Sequence, residues 1–236
     1  MERRFESELK QLKGRILAMG GYVEQALEKA TQALLDRDPR SLEEVHRLEN
    51  KINEAHLEVD AACMEALVRL SPVAADLRLI LAIIKINVDL ERMGDQAVNI
   101  SHNAKHYLGD VEVLAGVDLP RMSRLVREMV RESLDAFMKE DPFLAQEVLE
   151  KDDAVDEEKN NSFRALSSYM KTNPAGVDAA LNLILIARNL ERMADHATNI
   201  AEDVIFAYTG EDVRHSISGS ATGNTSGSGQ PQGKNR

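Results

Sequence analysis

The chain has 236 residues, enough for one or two domains, and its 43% apolar and 29% charged content is that of a water-soluble globular protein. Only 4% of residues are aromatic, Trp is absent and there are 6 prolines, which argues against an all-β sandwich or barrel. Forty acidic against 29 basic residues give a net charge of -11, unsuited to a nucleic-acid phosphate backbone and suited to cations and basic partner surfaces, and the single Cys63 excludes a disulfide framework or a Cys-based zinc site.

The N-terminal MERRFESELK has no apolar signal-peptide core, and the most apolar stretch, Leu77 to Leu90, carries Arg78, Lys85 and Asp89 and is too short to cross a bilayer. A cytoplasmic protein is expected. Apolar residues recur at three- and four-residue spacing almost throughout, the period of amphipathic helices. The first three helices are predicted at about 2–36, 40–70 and 73–107, separated by Asp38-Pro39 and Ser71-Pro72. Ser41 with Glu44 reads as a capping box for the second. Its apolar face runs Leu42, Val45, Leu48, Ile52, Ala55, Val59, Ala62 and Ala66. Short connections predict antiparallel neighbours.

A second triplet, at about 119–140, 142–171 and 174–209, follows the break between Gly109 and Pro120. At an offset of 103, Met19 meets Met122, Val23 meets Val126 and Asp38-Pro39 meets Asp141-Pro142. At an offset of 100, the eleven residues from Leu90 to Ile100 share eight identities with Leu190 to Ile200. That density marks a tandem duplication. The fold expected is therefore all-α: two antiparallel three-helix bundles, 1–109 and 119–210. A Gly/Ser-rich tail over 211–236 has no periodicity and is expected to be disordered.

Candidate chemistry lies in the repeated segment. On the third helix the row Leu77, Leu81, Ile84, Val88 is read as leaning inward, and at the same spacing it becomes Glu91, Asp95, Val98, His102. The sixth helix repeats the pattern through Glu191 and Asp195. Two carboxylates four apart lie one above the other on a helix and repel, and a cation between them removes that cost. The alternative is pairing with Arg or Lys of a neighbouring helix. The second helix offers Glu49 and Asn53, and their equivalents on the fifth are Asp152 and Asp156. The second bundle thus gathers four acids, Asp152, Asp156, Glu191 and Asp195, and the first three, Glu49, Glu91 and Asp95. Oxygen ligands suit Mg2+, Mn2+, Ca2+ or ferric iron. His102 and His196 are possible nitrogen donors, but an isolated helix histidine is more often a surface or capping residue.

DLERMGDQAVNI (Asp89 to Ile100) and NLERMADHATNIAE (Asn189 to Glu202), with MGGYVEQAL from Met19 and SPVAADLRLI from Ser71, resemble the PhoU family of bacterial phosphate-signalling regulators over about residues 5 to 209. The resemblance implies a pair of three-helix bundles whose acidic motifs hold metal ions or clusters, of Fe, Mn, Mg or Zn. These motifs map to Glu91 with Asp95, Asp152 with Asp156, and Glu191 with Asp195, while the Glu49 to Asn53 pair departs from the pattern. It also implies a non-enzymatic negative regulator, a homodimer, that links a phosphate ABC transporter ATPase to a sensor histidine kinase from the cytoplasm. Two competing readings are a di-iron carboxylate enzyme and a metal-free helical adaptor. The enzyme needs two Glu-x-x-His motifs. The helices supply one, Glu43 to His46, and its repeat equivalents are Gln146 and Leu149. No phosphate-binding P-loop, G-x-S-x-G or H-E-x-x-H occurs. The stripe Arg121, Arg124, Arg127, Arg131 reads as a solvated or partner-binding face.

Overall fold

The computed structural model describes residues 2–109 and 116–213. They form six α-helices, α1 Glu2–Leu35, α2 Arg40–Leu70, α3 Ala74–Leu108, α4 Leu119–Lys139, α5 Pro142–Thr172 and α6 Val177–Thr209, with a 3-10 turn at Pro174–Gly176 before α6. No strand occurs among the described residues. The expected disordered tail lies, from residue 214 on, outside the described residues.

Helix ends follow local chemistry. The Asp118 side chain caps α4 by accepting from the Arg121 N–H at 2.9 Å. Asp141 caps α5 by accepting from the Phe143 and Leu144 N–H groups, and Pro142 fills a first-turn position that needs no donor. Ser71 ends α2 and Gly210 ends α6 in the left-handed region, at φ 46° and 80°. The Ser41–Glu44 capping box does not form. Helix α2 begins at Arg40, one residue before Ser41, and Asp38 instead accepts from the Arg40 N–H at 3.0 Å.

Within each triplet every helix touches the other two. Arg15 reaches the Glu58 carbonyl and Arg69 pairs with Glu8, so α1 and α2 run antiparallel. Asn87 bonds the His56 carbonyl and Asp60, and further along α3 Gly94 meets Ile52, so α3 runs antiparallel to α2. The two bundles share one core. Helix α3 packs along α6 more extensively than any other pair, α1 packs against α4, and α2 and α5 touch only helices of their own bundle. Leu90, Met93, Ala97 and Ile100 are fully buried, as are Leu190, Met193, Ala197 and Ile200. Burying both copies of the repeated motif at the seam is what fuses the halves.

Polar ties cross that seam. Lys13 of α1 is 7% exposed, and its ammonium donates to Glu140 at 2.7 Å and to the Tyr208 hydroxyl at 3.0 Å, with the Phe137 ring beneath it. Burial of Lys13 opposes its charge, but these bonds outweigh it and raise its pKa. Lys85 of α3 pairs with Asp203 of α6 at 2.8 Å. The arginine stripe of α4 is partly spent on neighbours, Arg121 on Glu158 of α5 and Arg127 on Glu28 of α1.

Candidate metal centre

The row read as inward-leaning on α3 is corrected by the structure. Leu77 and Leu81 are exposed, Ile84 and Val88 are half-buried, and the buried positions beside the seam are Leu79, Ala82 and Asp89. The reason is that α6 covers the flank of α3 bearing Lys85, Asp89 and Arg92, so polar residues face the seam that apolar spacing did not mark. Glu91 is half-buried and Asp95 is exposed.

In the second bundle the four predicted acids form one electrostatic unit. Asp152 is half-buried, and its pKa is pushed up to about 6, first by desolvation and then by the charges of Asp195, Asp156, Asp153 and Glu191. Asp195, although exposed, is raised too, by desolvation and by Glu191 and Asp156, against the lowering pull of His196 and Lys159. Lys159, which the sequence reading did not include, enters the group from α5. Its ammonium donates to Asp156 Oδ1 at 2.7 Å and to Glu191 Oε1 at 2.8 Å, and these bonds raise its pKa against its desolvation. Its place on α5, three residues past Asp156, was the available signal, because that spacing puts a lysine beside the acid.

The first bundle differs. The Asn53 amide donates to Glu49, so the position equivalent to Asp156 brings an uncharged donor that stabilises its neighbour's carboxylate instead of repelling it. His196 turns away from the acids, and its Nδ1 lies 2.8 Å from Asp89 Oδ1 across the seam. His102 lies with its ring centroid 5.5 Å from that of His46, away from the acidic pairs. Among the described residues, no three His, Cys, Asp or Glu groups stand close enough, as they lie, to hold a metal ion. The donor set of the second bundle nevertheless fits a hard cation. Four carboxylates share a rim with one ammonium, and Asp152 has no cation of its own among its interactions. In the first bundle the fit is poorer by one acid and one amide donor.

Together these features define a class: a tandem repeat of three-helix bundles whose repeat carries an acidic motif, four acids between α5 and α6 in the second copy and three acids with Asn53 on α2 and α3 in the first. A family model described as the PhoU domain matches it twice, over residues 16–104 and 119–204, and the chain belongs to the PhoU family. It is 39% identical to the "Phosphate-specific transport system accessory protein PhoU homolog" of Pseudomonas aeruginosa, covering 91% of this chain and 89% of that protein. It is 38% identical to the protein so described from Aquifex aeolicus, covering 88% and 94%. The crystal structure of PhoU from Pseudomonas aeruginosa superposes with a TM-score of 0.85 at 38% identity, over 88% of this chain and 100% of that one. That of the phosphate transport system regulatory protein PhoU from Streptococcus pneumoniae gives 0.81 at 27% identity, over 89% and 99%. These relatives are named as accessory or regulatory proteins and not as enzymes.

Proposed function

We propose that this chain is a non-enzymatic, metal-binding accessory regulator of phosphate-specific transport and a negative regulator of the phosphate-starvation response. The observation that carries the reading is the match over nine-tenths of the chain to proteins named for that role, with both copies of the acidic motif inside the matched residues. The protein works in the cytoplasm as a homodimer and docks on the transporter's ATPase and on a sensor histidine kinase. No helix among the described residues is long and apolar enough to cross a membrane, which agrees with reaching membrane complexes through their soluble parts. A duplicated scaffold offers two related surfaces, so one molecule can engage two partners.

Asp152, Asp156, Glu191 and Asp195 would hold the cation, of Fe, Mn, Mg or Zn, with Glu49, Glu91 and Asp95 as a weaker counterpart. When bound, the ion supplies positive charge that relieves the repulsion among these acids. Lys159 does part of that work without it, by neutralising Asp156 and Glu191. That position of Lys159 favours the second reading, a metal-free adaptor whose acids are satisfied internally. Titration with Mn2+ or ferric iron separates the two. Uptake by the wild type that is lost in Asp156→Asn with Asp195→Asn supports the metal site, and equal uptake by both proteins rejects it. The regulatory assignment is tested by deleting the gene. Phosphate-starvation genes should then stay on in phosphate-rich medium, and normal repression in the deletion strain overturns the assignment.

A further inference from the structure

We propose a second cation site of different chemistry, built from imidazoles at the free end of the first bundle, for Zn2+, Ni2+ or Cu2+. Three of the chain's six histidines, His46 of α2 and His102 and His106 of α3, line one cleft of about 1110 Å³ between the start of α2, the end of α3 and the start of α6. Their repeat equivalents are Leu149, Glu202 and Phe206, so the cluster belongs to this bundle alone and is no by-product of the duplication.

The spacing fits a shared ion. Two imidazole nitrogens held about 2.0–2.1 Å from one tetrahedral zinc place their ring centroids about 5.2 Å apart. The centroids of His46 and His102 are 5.5 Å apart, with the planes inclined by 52°. Rings at this separation and tilt also pack as an ordinary aromatic pair, but meeting from different helices in one cleft they bring two imidazoles to one place, where a common ion can join them. His106 follows His102 by four residues, the spacing that sets two imidazoles on one helix face for a metal. It is exposed and becomes the third donor by a change of rotamer, a small cost for a side chain free in solvent. Glu43, one turn before His46 and also exposed, lines the same cleft and supplies an oxygen. Arg40 and Lys105 line it too and oppose a cation, but the Arg40 guanidinium is held by Asp38, and Asp178 of α6 adds a compensating negative charge.

Imidazole selects borderline transition metals, whereas the carboxylates of the α5–α6 rim select hard cations. The two sites are therefore separable in one molecule, and this inference stands whether or not the acidic site binds. An ion on His46 and His102 would cross-link α2 to α3 near the Leu35–Arg40 connection.

The test uses the full chain without a histidine tag, with Asp156→Asn and Asp195→Asn in place to silence the acidic rim. Calorimetric titration with Zn2+ should show one ion bound per chain, and adding His46→Ala with His102→Ala should weaken it by at least about tenfold. Because all three histidines are exposed, circular dichroism should show the variants folded. A measurement free of variants runs alongside: acylation of histidines by diethyl pyrocarbonate, mapped by mass spectrometry, should be suppressed at His46 and His102 when Zn2+ is present. Unchanged zinc affinity in the double histidine variant, or equal acylation of both residues with and without zinc, overturns the site.

Discussion

His196 of α6 donates from Nδ1 to the Asp89 carboxylate of α3 at 2.8 Å, and the equivalent pair on the other side of the repeat, Gln96 and Asn189, makes no such bond. Gln96 Oε1 is buried without a partner, while Asn189 donates to the Leu185 carbonyl in its own helix. The duplicated seam is thus zipped on one side only. Asn199 adds a second donor to Asp89 at 3.2 Å.

The first prediction follows from that inequality. His196→Ala leaves a nearly buried carboxylate short of a donor and should cost about 1.5–3 kcal/mol, the range for hydrogen bonds to charged groups. Gln96→Ala removes an already unsatisfied oxygen and should stay within about 0.5 kcal/mol of the wild type. Urea unfolding of the two variants measures both, and equal losses would show that the bond carries no weight.

The second prediction concerns pH. Asp152 sits at about 6 in the folded protein, against about 3.9 when unfolded. Between those values the folded chain keeps a proton that the unfolded chain has released. The stability contributed by this group is full below about pH 4 and is lost as the pH rises through about 6. Because Asp152 is half exposed, solvent screening reduces the effect to on the order of 1 kcal/mol. The metal-free protein should therefore gain stability from this group between pH 7 and pH 5, a gain absent in Asp152→Asn. Denaturant midpoints at the two pH values test it, and an unchanged pH dependence in the variant rules it out.

The third prediction concerns Lys13. Truncating it to Ala removes the ammonium that joins Glu140 and Tyr208 and the stem that packs on Phe137. Glu140 is exposed and rehydrates, so the loss should be about 1–3 kcal/mol rather than the larger cost of a stranded buried charge. Lys13→Met, which keeps the stem, should recover part of it. Thermal unfolding distinguishes them, and identical behaviour of Ala and Met would assign the whole effect to charge.

Helices and their limits were legible because a 3.6-residue period, Asp-Pro and Ser-Pro breaks and the offset repeat each leave a mark on the chain. The grouping of four acids in the second bundle was legible for the same reason, since repeat positions fix neighbours. The seam between α3 and α6 was not. Its distinguishing residues, Asp89, Asn189 and Asp203, are polar and buried, and a hydrophobic pattern assigns them to solvent. Lys159 escaped because a lysine in an acidic helix reads as an ordinary surface charge. Ser41 misled because Asp38, bonded to the Arg40 N–H, already supplies an acceptor at the start of the helix.

The last prediction tests whether the two repeats are packed by exchange of volume. Gly94 of α3 faces Ile52 of α2, and a Cβ at Gly94 would lie 3.1 Å from Ile52 Cδ1 and 3.2 Å from its Cγ2. At the equivalent positions of the second repeat stand Ala194 and Val155, both fully buried. One repeat carries the carbon on the outer helix, as Ile, and the other carries it on the inner helix, as Ala. Gly94→Ala alone should gain helix propensity and lose packing, ending near neutral or somewhat destabilised, by no more than about 1–3 kcal/mol. Ile52→Val alone should cost about 0.5–1.5 kcal/mol for the methylene it removes. Together they recreate the pair of the second repeat, the Ala methyl filling the space the Ile methylene leaves. The double variant should therefore be more stable than the sum of the singles by about 1 kcal/mol, within the range of residues in contact. A double-mutant cycle in urea reads this coupling directly, and additivity within about 0.3 kcal/mol would show that the repeats are not related by such an exchange.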